Sequence, residues 1–167
     1  NVLGVAPGAT PPADLTQVAL WTLPEGATPT SRVDVLGMLD SALAIQPGDA
    51  NAVETATWEV PASGEVIAVM PHMHLLGKSI AMSAQHADGS ETCLTDIPDW
   101  DFDWQQFYQF APDSVVHLVP GDVVALTCVY DNSAANQPTV AGVQQSPRLV
   151  TWGEGTLDEM CLDYLVV

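Results

Sequence analysis

Two of the four histidines lie one residue apart in the stretch MPHMHLLGK, Met70 to Lys78. In an extended strand the side-chain period is two, so His72 and His74 face one way and Met73 the other. Neutral imidazole is a common metal ligand, and two of them side by side make half a metal site. Two histidines at a strand end can equally be surface residues. The pair therefore calls for a third donor.

That donor could be a carboxylate, another histidine or a thioether. His86 falls in an expected turn. His117 has apolar neighbours, and a histidine in such a strand ordinarily serves structure. Cupin-type metal sites also begin with HxH, but the acid that usually follows is missing here, since LLGKSIAMSAQ has none before Asp88. A thioether with imidazoles forms a soft, neutral set that selects copper, Cu(I) especially, over zinc or iron. Met160 stands beside Cys161 in a terminal strand; most buried methionines merely fill gaps in a core. If Cys161 pairs with Cys128, Met160 is fixed covalently next to a central strand. No Ser-His-Asp or Cys-His arrangement suggests itself, and no glycine loop of the phosphate-binding kind is present. The cysteines sit in apolar contexts, which argues for inert or bonded sulfur.

The elements that must position these residues read as strands. The 13 prolines and 12 glycines punctuate short segments rich in Val, Thr, Ile and aromatic residues, the pattern of an antiparallel all-β sandwich or barrel. Residues 1–14 read as an irregular lead-in and 15–167 as one domain. LTQVALWTL, Leu15 to Leu23, is expected as a first strand. Arg32 to Ile45 is a strand or a strand pair, with Gly37 marking a bulge or bend. Ala52 to Val60 and Glu65 to His74 follow. Lys78 to Gln85 and Glu91 to Ile97 form a hairpin through Asp88-Gly89. Pro98 to Phe110 alternates aromatics with acids and is expected to bury one aromatic edge in the core. Val123 to Asp131 is the clearest buried strand, and Glu159 to Val167 is the last.

Composition narrows the function. Twenty-one acidic residues face only three basic ones, Arg32, Lys78 and Arg148, for a formal charge of −18. Nucleic acid and anionic membrane surfaces are thereby disfavoured as partners, because both require clustered Lys and Arg. With 47% hydrophobic residues the chain can bury a core. No apolar run reaches the roughly 18–20 residues of a membrane span. The chain starts at Asn1 without an initiator Met or signal-like segment, and is read as a processed form or a piece of something longer. Three cysteines leave one over if two pair.

HMHLLGK (72–78), GDVVALTCVYDNS (121–133) and WGEGTLDEMCLDYL (152–165) occur in that order. Together they resemble the C-terminal domain of the copper type II, ascorbate-dependent monooxygenases, the family of peptidylglycine α-hydroxylating monooxygenase and dopamine β-hydroxylase. IPDWDFDWQ, YDNS and WGEGTLDEMC look most like its bacterial branch. The resemblance covers about Ile45 to Val167. It implies a jelly-roll-like β-sandwich, in which His72 and His74 are the imidazole ligands of one copper and Met160 its thioether ligand. It implies a Cys128–Cys161 disulfide, hence an extracytoplasmic (periplasmic or secreted) location, and places Tyr164 near the active site. Cys93 has no counterpart and is expected as a free, buried thiol. The implied chemistry is hydroxylation of a C–H bond of a small-molecule substrate, with O2 as co-substrate and ascorbate as external reductant.

Two departures qualify this. The family's second copper is held by three histidines of an N-terminal domain, and only His86 and His117 remain here. The chain then reads as lacking that partner domain, with little or no activity alone. The family's peptide substrates are held partly by an Arg two residues before the HxH and an Asn after the DEMC cysteine. Those positions are Met70 and Leu162, which speaks against a peptide carboxylate as substrate. The alternative to an enzyme is a non-catalytic copper module for sequestration or delivery.

Overall fold

The computed structural model describes residues 8–10, 13, 15–140 and 142–167. The chain divides into a unit ending at Arg32 and a unit spanning Val33–Val167. Most of the expected lead-in lies outside the described residues. Leu15 to Leu23 does not form the strand expected of it, and Leu15, Val18, Leu20 and Trp21 are exposed. LTQVALWTL carries apolar side chains on both faces. Such a strand needs ladder partners and cover on both sides, and no strand is described elsewhere in its unit.

Val33–Val167 is all β. Its strands are β1 (Val35–Leu39), β2 (Ala44–Ile45), β3 (Ala52–Glu59), β4 (Gly64–Val66), β5 (Ala68–His72), β6 (Gly77–Gln85) and β7 (Glu91–Ile97). They continue as β8 (Tyr108–Gln109), β9 (Val116–Leu118), β10 (Val123–Tyr130), β11 (Thr139–Val140), β12 (Val143–Gln144), β13 (Val150–Thr151) and β14 (Leu162–Val166). Two antiparallel sheets, ordered β1-β14-β5-β8 and β3-β10-β6-β7, form the sandwich, with short pairs β2–β13, β4–β9 and β11–β12 at its margins.

The core follows from period-two alternation. In β10, Val124, Leu126, Cys128 and Tyr130 are all fully buried. Ile80, Met82 and Ala84 of β6 join them, and Val69, Leu165 and Met38 come from the other sheet. Burial of a side chain such as Leu126 or Ile80 contributes roughly 1.5–3 kcal/mol. Cys128 and Cys161 are disulfide-bonded, which ties β10 to the entry of β14 and so one sheet to the other. Closing a loop of 33 residues is worth about 3–4 kcal/mol on the chain-entropy account.

The β6–β7 hairpin turns at Asp88-Gly89 as its sequence dictates, with Gly89 at φ 86°. Three other expectations are revised. Gly37 forms no bulge, since the β1–β14 ladder runs through it unbroken and the Tyr164 ring lies over it. Cys93 is free but exposed, not buried. The cause is a register shift at Met82/Ser83, which buries Leu94 and Thr95 consecutively and resets the alternation so that Cys93 faces out. The strand expected from Glu65 to His74 is divided, with β4 pairing β9 and β5 pairing β14, and it ends at His72.

Candidate metal centre

His72 closes β5 opposite Leu162 of β14. Two residues on, the chain has left the sheet, and the backbone N–H groups of His74 and Leu76 need other acceptors. Glu159 supplies both: His74 N donates to Oε2 at 2.8 Å and Leu76 N to Oε1 at 2.7 Å. The resulting turn brings the imidazoles of His72 and His74 to 5.0 Å between centroids, edge to face at 82°. Met73 points the other way into the core and is fully buried.

Each imidazole is oriented through its Nδ1. His74 Nδ1 lies 2.9 Å from the Asp158 carbonyl. A carbonyl can only accept, so Nδ1 carries the proton and Nε2 keeps its lone pair. His72 Nδ1 lies 2.5 Å from Gln105 Oε1. Burial lowers the pKa of His72; the Gln105 bond raises it and His74 lowers it further. The net depression favours neutral imidazole, the form a metal needs.

The segment Pro98 to Phe110 is mostly loop and serves this pair. Trp100 packs on the core and its Nε1 donates to the His74 carbonyl at 3.2 Å. Phe102 meets His74 edge-on at 6.2 Å. Gly77 makes room, because a Cβ there would stand 2.7 Å from the Trp100 ring and 2.9 Å from Met73. The aromatic edge is thus only partly core: Trp104 and Phe107 are exposed.

WGEGTLDEMC builds the opposite side. Asp158 folds back over Gly153 and Gly155, where a Cβ would come within 2.5 and 2.9 Å of its carboxylate. Arg148 donates to the Leu157 carbonyl at 2.6 Å and to Asp158 Oδ1 at 3.3 Å. Met160 is held at its backbone, where Tyr130 Oη donates to its carbonyl at 2.9 Å, and by the disulfide of its neighbour. Burial raises the Tyr130 hydroxyl's pKa, with Glu159 adding to it, so it stays protonated and donating. Burial also pushes Glu159 up to about 7, against the three backbone N–H groups that favour its charged form.

Met160 and His72 line one open cavity of about 350 Å³, with Leu39, Met70, Trp152, Glu154, Leu162 and Tyr164. Among the described residues no Lys or Arg side chain lines it. The two remaining histidines are engaged away from it. His86 lies between Asp122 (3.1 Å) and Thr92 (2.9 Å), and His117 faces Glu65 at 3.4 Å. Gln105, Asp158 and Glu159 carried no site role in the sequence reading. All three fall inside stretches already singled out, Asp158 and Glu159 in WGEGTLDEMC and Gln105 at the end of IPDWDFDWQ, but no periodic signal marks Gln105.

Residues 50–167 match the family model described as copper type II ascorbate-dependent monooxygenase, C-terminal domain. Tyramine beta-hydroxylase of Caenorhabditis briggsae is 29% identical over 113 residues, covering 65% of this chain and 17% of the relative. DBH-like monooxygenase protein 1 of Mus musculus is 29% identical over 109 residues, and that of Gallus gallus 28%, each covering 65% of this chain and 16% of the relative. The chain thus spans only about a sixth of the length of these curated relatives.

Proposed function

This chain belongs to the copper type II ascorbate-dependent monooxygenases, matching their C-terminal domain, and from that membership we propose that His72, His74 and Met160 hold one copper ion of an enzyme that hydroxylates a C–H bond. The observation that carries the reading is convergence. Two imidazoles stand 5.0 Å apart, and the thioether residue shares a cavity wall with one of them, although 86 to 88 positions separate Met160 from the pair. The donors are neutral and soft, a set that fits copper and Cu(I) above all. Copper bound there supplies the redox chemistry with O2, with ascorbate as the external source of electrons.

The chain's own residues bind and orient. Leu39, Met70, Trp152 and Leu162 give the cavity apolar walls that receive the hydrocarbon part of a substrate. The Tyr164 hydroxyl, on the same wall, is the group we assign to hydrogen-bonding the substrate beside the metal. A carboxylate would meet no Lys or Arg side chain there and would face Glu154, which supports a small, largely apolar substrate over a peptide terminus. The second copper and its three histidines belong to a partner domain, and the isolated chain is then a binding half with little or no turnover. The Cys128–Cys161 bridge supports an extracytoplasmic setting. No helix of the described residues is long and apolar enough to cross a membrane.

The test is Cu(I) titration of the chain, followed by O2 consumption with ascorbate when it is joined to an N-terminal domain of its family. One tightly bound copper, weakened at least tenfold in His72→Ala, is expected. A chain that binds none overturns the reading. A two-domain protein that binds copper but never consumes O2 leaves the sequestration or delivery module instead.

A further inference from the structure

We propose that Gln105 is a positioning residue that sets the tautomer of His72, and so decides which ring nitrogen keeps its lone pair. The proposal rests on the copper reading only for what that nitrogen then does. Gln105 Nε2 lies 2.6 Å from the Phe102 carbonyl. A carbonyl has no proton to give, so the amide must turn its NH2 toward it; the flipped amide would press two acceptor oxygens together. That leaves Oε1 toward His72, 2.5 Å from Nδ1. Oε1 has no proton either. The shared proton therefore sits on Nδ1, and Nε2 of His72 is bare.

The loop is shaped to hold this arrangement. Asp101 turns the chain by accepting the N–H of Asp103 at 2.9 Å on its side chain and of Trp104 at 3.0 Å on its carbonyl. The turn brings Gln105 back over Phe102. The residue type also follows from the chemistry. Glutamate would set an acceptor against the Phe102 carbonyl, and asparagine is one methylene short of spanning both partners. His74 reaches the same tautomer through a main-chain group, the Asp158 carbonyl. Of the two imidazoles, His72 is thus the one whose proton is placed by a side chain.

The experiment begins with the metal-free, ¹⁵N-labelled protein, in which long-range ¹H–¹⁵N correlation distinguishes a protonated from a bare ring nitrogen. In the wild type His72 is expected as the Nδ1–H tautomer. Gln105→Met keeps length and volume but removes the acceptor; the Nε2–H form of His72 should appear while His74 stays unchanged as the internal control. Gln105→Glu returns an acceptor toward Nδ1 while its second oxygen opposes the Phe102 carbonyl, so it should restore Nδ1–H in part. Cu(I) affinity should fall tenfold or more in Gln105→Met and recover only in part in Gln105→Glu.

Wild-type His72 with its proton on Nε2 would overturn the proposal, and so would a Gln105→Met protein with unchanged tautomer and affinity. Because the wild-type tautomer is read first, a variant that fails to fold does not rescue the idea. A wild type with the expected tautomers that binds no Cu(I) would overturn the copper reading instead, so the two failures are distinguishable.

Discussion

Glu159 accepts the backbone N–H of His74 at 2.8 Å, joining segments 85 residues apart. The same carboxylate takes Leu76 N and, at 3.3 Å, Met160 N. One buried side chain thus replaces the ladder bonds lost where β5 stops, and it sets the backbone of one proposed ligand against that of another.

Glu159→Ala should therefore be costly. It strands the N–H groups of His74 and Leu76 away from water, at about 1–3 kcal/mol each, and opens a void. A stability loss on the order of 2–5 kcal/mol is expected in chemical denaturation, with Glu159→Gln losing less because one acceptor survives. A loss under about 1 kcal/mol in the alanine variant would show that the turn is held by something else.

Met160→Leu keeps volume and apolar character, so the fold should lose less than about 1.5 kcal/mol. X-ray absorption of the copper-loaded variant should lack the sulfur scatterer present in the wild type. If the sulfur signal persists, Met160 is not the ligand.

Thiol titration without reductant should give one reactive group, Cys93, in the folded chain and still one after denaturation, since Cys93 is exposed and Cys128 and Cys161 are bonded. Cys128→Ser with Cys161→Ser should lower stability by about 3–4 kcal/mol on the loop-closure account. Three titrated thiols in the denatured chain would contradict the bridge.

Asp163 lies fully buried on β14, where it accepts Met70 N and Thr95 Oγ1, each at 3.0 Å. Burial pushes its pKa to about 7, despite those bonds. The folded chain thus holds this proton more firmly than the unfolded chain does. Its contribution to stability is fully present below about pH 4 and is lost as pH rises toward 7. Asn at 163 accepts from Met70 and donates to Thr95 without titrating. Stability curves of wild type and Asp163→Asn should therefore diverge by on the order of 2–4 kcal/mol between pH 4 and pH 8, in favour of the variant at the alkaline end. Parallel curves would refute the shifted titration.

Much of the sandwich was legible because alternation is a local signal. Val123 to Tyr130 alternates residue by residue, and Asp88-Gly89 carries its own turn chemistry. HxH and DEMC could be picked out as candidates because their residue types have few uses together. Less local matters escaped. Gln105 lies 33 positions from His72, and nothing in the pattern of Pro98 to Phe110 says where its loop returns. The outward turn of Cys93 depends on one inserted residue between paired strands. Leu15 to Leu23 looks like a strand by composition, but a strand also needs a neighbour.

The disulfide beside Met160 has a consequence for the order of maturation. Before it folds, a reduced chain offers two further thiols, Cys128 and Cys161, which the folded and oxidised chain keeps bonded and buried. Thiolates hold Cu(I) more firmly than imidazole and thioether do, so copper arriving early would be captured by the wrong sulfur and would block the bridge. With the proposed ligand set, this layout favours oxidation first and metal second. Loading reduced and oxidised chains in parallel, and counting sulfur scatterers by X-ray absorption, would show more sulfur around copper in the reduced chain; equal counts would contradict the inferred order.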